Sequence, residues 1–119
     1  FNENSKSPAC LAVFPELSHN DLVGWELPDH FKGRFVLLIL GGKQDNERLT
    51  ARIQVTCQLL ADDFSEVHQL LPSGDTALAK VLSLVQYGDY LSCHLAQLKK
   101  IDPVPVTRIA KLKDHLDKL

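Results

Sequence analysis

One run of seven residues, RFVLLIL at 34–40, limits what this chain can fold into. After Arg34 it is continuously apolar, from Phe35 to Leu40, rather than alternating, and Gly41-Gly42 ends it. Continuous hydrophobicity over that length suits a strand covered on both faces, as in a parallel sheet with helices above and below. The polar residues 43–45 are expected to form the loop at the strand's carboxyl end, which in open α/β sheets faces the ligand. GGKQDNE matches no phosphate-loop pattern, so plain turn chemistry is expected there ahead of phosphate binding.

The flanking segments supply helices for such a sheet. Residues 46–62 read as an amphipathic helix with Leu49, Ile53, Leu59 and Leu60 near one stripe and Asp45 or Asn46 as its cap. Residues 64–71 form a weaker strand, with Val67, Leu70 and Leu71 as its apolar content. The turn Pro72-Ser73-Gly74-Asp75 leads to the longest element, a helix over 76–99. Leu78, Val81, Leu82, Val85, Leu91, Leu95 and Leu98 are spread more than halfway around it. Such girth predicts packing on several sides, inside the domain or across a subunit boundary. Gly88 in its middle predicts close approach by another backbone. The segment Ile101 to Pro105 stops that helix. A last helix over 106–119 follows, with Ile109, Leu112 and Leu116 on its apolar face and Lys111, Lys113 and Lys118 favouring its carboxyl-terminal dipole.

Upstream, a short helix is expected over residues 8–16, with Ser7 as cap, Pro8 at its first position and a kink or break near Phe14 caused by Pro15. A second is expected after Ser18, carrying Leu22, Val23 and Trp25, with a conformational or packing reason for Gly24. Residues 28–33 are a turn. The order helix, strand, helix, strand, helix, helix gives an α/β class with a short parallel sheet. Two strands are few for a sheet, so others are expected before Phe1 or in segments of weak pattern.

A chain of 119 residues is expected to be one domain with a single modest core. The net charge of −2, with acids and bases mixed, argues against a nucleic-acid partner. No apolar run approaches a membrane span, and no signal peptide is evident. Cys10, Cys57 and Cys93 are odd in number and lack CxxC spacing, which predicts reduced thiols and a cytoplasmic location. The chain opens on Phe1 with no initiator Met, so it is expected to be a piece of a longer protein.

His19, His30, His68, His94 and His115 include no i, i+4 pair and no Cys at metal spacing, so no metal site is expected. His30, His68 and His115 sit among polar neighbours and read as solvated. His94 reads as packed or interfacial. His19 lies in a polar knot after a helix break, where a capping role and a proton-transfer role are both open. Glu3, between Asn2 and Asn4, reads on composition alone as an exposed acid. A carboxylate and an imidazole that meet at one ligand would nevertheless suit proton transfer. No Ser-His-Asp order or nucleophile elbow suggests acyl transfer.

The stretch NENSKSPACLAVFPELSHNDLVGWE resembles the pattern NENxKxPAxxxxxPELNHNExVGW of the bifunctional phosphoglucose/phosphomannose isomerases, in their carboxyl-terminal half. RFVLLIL resembles the family's strand, and the stretch around Glu47, Arg48 and Arg52 resembles its ERxxxRI helix. YGDYLSCHLAQLKKIDPVPVTRIAKLK is similar to GDYxSxYLAxxxGxDPxPVxxIxxLK. The resemblance covers nearly the whole chain. It implies a sugar-isomerase (SIS) fold, a three-layer α/β domain with a parallel sheet between helices, of which residues 1–119 would be most of the carboxyl-terminal copy. It also implies an aldose–ketose isomerase of hexose phosphates, acting with an amino-terminal SIS domain and as a homodimer, without a metal or nucleotide cofactor. By resemblance Glu3 would be the base moving a proton between C1 and C2. His19 would open the sugar ring from across the dimer, and Lys113, or its neighbour Lys111, would assist. Ser18 and Asp21 depart from the family's Asn and Glu, Cys93-His94 from a small residue or Val followed by Tyr, and Lys99-Lys100-Ile101 from its Gly. The family's phosphate-holding Ser/Thr-rich loop belongs to the first SIS domain and has no counterpart here. The alternative expectation is a non-catalytic SIS-type module that binds a phosphosugar or serves regulation or assembly.

Overall fold

The computed structural model describes residues 1–26, 28–41 and 46–119. In chain order they form short 3₁₀ helices at Glu16–Ser18 and Leu22–Trp25, strand β1 (Val36–Leu40), helix α1 (Glu47–Leu60), strand β2 (Glu66–Leu70), and helices α2 (Ala77–Leu98) and α3 (Thr107–Leu116). This is an α/β arrangement with a two-stranded parallel sheet among the described residues. The chain divides into two compact units, Leu11–Leu84, and Phe1–Cys10 with Val85–Leu119, so the boundary falls inside α2. Of the expected loop at 41–45, residues 42–45 lie outside the described residues.

The Leu11–Leu84 unit is built as a strand–helix–strand crossover. β1 and β2 pair from Val36 opposite Glu66 to Leu40 opposite Leu70. The ladder is extended at both ends, where Ser65 N–H donates to the Phe35 carbonyl (2.8 Å) and Gly41 N–H to the Leu70 carbonyl (2.8 Å). α1 starts because the Asn46 side chain accepts hydrogen bonds from the N–H groups of Arg48 and Leu49, which would otherwise be orphaned at the helix start. It buries Ile53, Thr56 and Leu60, one stripe at helical spacing. Leu59, expected on that stripe, is exposed instead. Leu17, Ile39 and Phe64 complete the buried apolar set. Each such side chain contributes about 1.5–3 kcal/mol on burial. Trp25 packs at a tilt against Phe64 and meets Phe35 edge-on, with ring centroids at 4.7 and 5.6 Å, so the second 3₁₀ helix is fastened to the sheet's entrance.

β1 differs from its expected burial on both faces: Ile39 is buried, but Val36 and Leu40 are more than half exposed. Only β2 lies beside it among the described residues, so the run has more apolar surface than one neighbouring strand can cover. No helix forms over 8–14. The Asn2 side chain takes both the N–H and the carbonyl of Ala9, and the Val13 carbonyl accepts from Leu17 N–H, after which the first 3₁₀ turn begins. The space around Gly24 is open, so the expected packing reason for it is not there.

Gly74 does carry a conformational demand. Its φ is +116°, and a Cβ there would come 2.6 Å from that of Ala79. This tight turn sets the start of α2, where Thr76 Oγ accepts from Ala79 N–H (3.1 Å) and Ser83 Oγ from Ser73 N–H (2.8 Å). Beyond its start, α2 is not packed on several sides inside this domain, which was one of the two arrangements expected of it. Its buried residues are Ser92 and Ala96, whereas Leu78, Val81, Leu82, Val85 and Leu98 are exposed within this chain. Gly88 has open space around it, not another backbone.

In the Phe1–Cys10 and Val85–Leu119 unit, α2 closes in a left-handed cap. Lys100 has φ +55°, its N–H donates to the Gln97 carbonyl, and Ile101 N–H reaches the Ala96 carbonyl (2.9 Å). That paired pattern terminates helices with glycine at the left-handed position; here a lysine occupies it. After the 101–105 break, α3 carries Ile109, Leu112 and Leu116 on one face as expected, all of them exposed within this chain.

Candidate active site

The first seven residues make a compact loop seated on the carboxyl-terminal half of α2. The Phe1 carbonyl gathers the Ser5 N–H (3.0 Å), the Ser5 hydroxyl (2.8 Å) and, more loosely, the Ser7 N–H (3.4 Å). Glu3 stands midway along this closed turn. Both asparagines beside it are tied down. Asn2 pairs with the Ala9 peptide in both directions, at 2.9 and 3.1 Å. Asn4 Nδ2 donates to Ser92 Oγ of α2 at 2.8 Å, and Ser92 Oγ donates in turn to the Asp89 carbonyl at 2.9 Å. Ser5 is fully buried and Ser92 is 1% exposed, so these hydroxyls must be satisfied, and they are.

Two ammonium groups hold the backbone of the same loop. Lys6 Nζ donates to the Glu3 carbonyl (2.6 Å) and to the Pro103 carbonyl (3.1 Å). Lys99 Nζ donates to the Ser5 carbonyl (2.8 Å), the Ser7 hydroxyl (2.9 Å) and, more weakly, the Lys6 carbonyl (3.4 Å). Charged donors make stronger hydrogen bonds than neutral ones. The Glu3 carboxylate itself is exposed and, among the described residues, has no hydrogen bond or ion pair. The outcome is a fixed backbone presenting an unengaged carboxylate, which is the form a general base needs before substrate arrives.

Lys113 and Lys111 lie on α3 of the same unit and are exposed, and neither forms an ion pair among the described residues. His19 belongs to the other unit. It follows the first 3₁₀ helix, its N–H bonds the Glu16 carbonyl (2.8 Å), and its ring is exposed. Of the residues expected to be solvated, His68 pairs with Glu66 at 2.6 Å and His115 Nδ1 lies 2.7 Å from the Lys111 carbonyl. His94 is exposed within this chain and stacks on Tyr90. With Tyr90, Cys93, Gln97, Ile101 and Pro103 it lines an open, mainly apolar hollow of about 420 Å³, whose lining does not include Glu3.

The three thiols are free. Burial pushes the Cys57 thiol above its ordinary pKa, a backbone hydrogen bond opposing this only in part, so it is a poor nucleophile. Cys93, one of the departures from the family pattern, touches the loop, since Asn4 Nδ2 also lies 3.7 Å from its sulfur. Among the described residues no group of acidic, His and Cys side chains could hold a metal, and no helix is long and apolar enough to cross a membrane.

Sequence reasoning singled out Glu3 but missed what holds it. Ser92 and Lys99 stand 88 residues or more from their partners in the loop, and each read as an ordinary polar position on a long helix. The one available signal was that Asn4 and Ser92 fall in the two densest motifs of the chain.

Comparison with known proteins gives a consistent picture. The family model of the bacterial phospho-glucose isomerase C-terminal SIS domain matches residues 1–116. The chain is similar to a bifunctional phosphoglucose/phosphomannose isomerase of Caldicellulosiruptor bescii, 42% identical over 96% of this chain and 34% of that protein. It is similar to those of Aquifex aeolicus (40% identical, over 98% and 36%) and Thermoplasma volcanium (38% identical, over 98% and 36%). The chain therefore spans about a third of the length of these curated relatives. No solved structure gives a significant match. With its motifs, its parallel strands and nearly its whole length accounted for, the chain belongs to the family of bacterial phospho-glucose isomerase C-terminal SIS domains.

Proposed function

We propose that residues 1–119 are the carboxyl-terminal SIS domain of an aldose–ketose isomerase that interconverts glucose 6-phosphate, mannose 6-phosphate or both with fructose 6-phosphate. The observation that carries the reading is the pinned loop with its unengaged Glu3 carboxylate. The names of the relatives support the substrate class. The domain works with an amino-terminal SIS domain, which holds the sugar's phosphate, and as a cytoplasmic homodimer.

His19 transfers a proton at the ring oxygen and opens the cyclic sugar. It is supplied from the second subunit of the dimer. Glu3 then takes the C2 proton of the open-chain aldose. The C2–H electron pair becomes the C1–C2 double bond of a cis-enediol, and the former carbonyl oxygen gains a proton. Glu3 returns its proton to C1 while the oxygen on C2 loses one, which yields the ketose. Lys113, or Lys111 beside it, steadies the negative charge on the enediol oxygens. Every step is a proton transfer, so none calls for a redox cofactor.

The test is isomerisation in both directions by the full-length protein that carries this chain. Glu3→Gln should lower kcat by ~10²–10⁴-fold, the usual contribution of a positioned base. A Glu3→Gln protein as fast as the parent, or a parent with no isomerase activity, would remove the reading.

A further inference from the structure

We propose that Lys99 is a positioning residue for the isomerase step, holding the loop that aims the Glu3 carboxylate; this rests on the isomerase reading above. Lys99 is the residue that closes α2, and the two residues after it complete the left-handed cap, so its backbone is fixed by the helix end. Its ammonium has three protons and meets three acceptors, the Ser5 and Lys6 carbonyls and the Ser7 hydroxyl. All three lie just after Glu3 in the chain, and all belong to the loop.

A second attachment comes from the same helix. Ser92 Oγ receives Asn4 Nδ2 at 2.8 Å and is buried in the seat. Glu3 thus has a pin on each following residue up to Ser7, drawn from two points seven positions apart, Ser92 on α2 and Lys99 just past its carboxyl end. Lys6 adds a link from the Glu3 carbonyl to Pro103. The carboxylate is left out of every one of these bonds. Hydrogen bonds to backbone carbonyls fix where the chain runs without engaging the acid, which is what separates positioning from participation in the proton transfer. Lys99 has no carboxylate partner among the described residues, so its charge is committed to the loop.

The decisive comparison is steady-state kinetics of the full-length protein with Lys99→Met, Lys99→Arg, Ser92→Ala and Glu3→Gln, each checked for its thermal midpoint. Lys99→Met should lower kcat by about 10- to 100-fold, the scale of a misplacement near 1 Å, while KM for fructose 6-phosphate stays near that of the parent. Lys99→Arg, which keeps a charged donor, should recover most of the loss. Unchanged kcat in Lys99→Met, beside an inactive Glu3→Gln, would overturn the positioning role and leave the isomerase reading standing. Equal losses in the Met and Arg variants with a fallen midpoint would also overturn it, in favour of a structural tether. If Lys99→Met does not fold, Ser92→Ala cuts the other pin and is judged by the same split between kcat and KM. A parent without isomerase activity, or a fully active Glu3→Gln, would overturn both readings together.

Discussion

The two units bury opposite kinds of chemistry. In the Leu11–Leu84 unit the interior is Leu17, Ile39, Ile53, Leu60 and Phe64, with Thr56 and the hydroxyl of Ser18 as buried polar groups among the described residues. In the other unit the most buried residues are Ser5, Ser92 and Ala96. Apolar burial is strong but non-directional, so it holds the strands and α1 together without dictating any one side chain's aim. Hydrogen bonds contribute less net stability each, about 0.5–1.5 kcal/mol, yet they specify distance and angle. The unit that presents Glu3 is built from the second kind of contact. A site that must hold an acid in place is served by precision more than by total stabilisation.

That contrast predicts which variants should cost folding and which should cost activity. The largest stability effect belongs to the apolar unit. Leu60→Ala should destabilise by about 2–4 kcal/mol, read as a fall in the urea midpoint, because it leaves a hole in a buried stripe. Gly74→Ala comes next, at about 1–3 kcal/mol by the same titration, since it adds a Cβ against Ala79 at a positive φ. Ser92→Ala should cost only about 1–2 kcal/mol of stability, through the stranded Asn4 amide, while lowering kcat more than Leu60→Ala does at a temperature where both are folded. If Leu60→Ala proved the more damaging to kcat there, the division of labour would be wrong. The smallest effect runs the other way. Lys100→Gly should stabilise by about 0.5–1 kcal/mol, seen as a raised thermal midpoint with unchanged kcat, because glycine accepts the left-handed cap conformation without a Cβ penalty.

The same contrast explains what the sequence made legible. β1, α1, β2 and α2 follow from apolar patterning and from turn and cap residues such as Asn46, Thr76 and Pro72-Ser73-Gly74. These signals are local. α3 follows from its break at Pro103 and Pro105 and its repeat of Ile109, Leu112 and Leu116. The expected helix over 8–16 fails because the Asn2 side chain captures the Ala9 peptide, a contact that no periodicity reports. The expectations for Gly24 and Gly88 fail because a glycine's sequence neighbours do not reveal whether anything approaches it. Glu3 was visible as a residue through its motif, but its seat was not. Asn4–Ser92 and Ser5–Lys99 join chain positions 88 and 94 residues apart, and a polar side chain on a helix gives no sign of such a partner. The burial expected of β1 and α2 was inferred from their apolar content, while the number of surfaces available to cover them within this chain was not visible in the pattern.

The most direct test of the central claim follows the proton itself. The full-length protein is incubated with fructose 6-phosphate in deuterated water, and deuterium at C1 of the ketose and C2 of the aldose is measured by NMR. If Glu3 moves a proton through a cis-enediol, the parent incorporates solvent deuterium at those carbons and Glu3→Gln does not. Incorporation that persists undiminished in Glu3→Gln, or turnover in the parent with no dependence on that carboxylate, would contradict the assignment of Glu3 as the base.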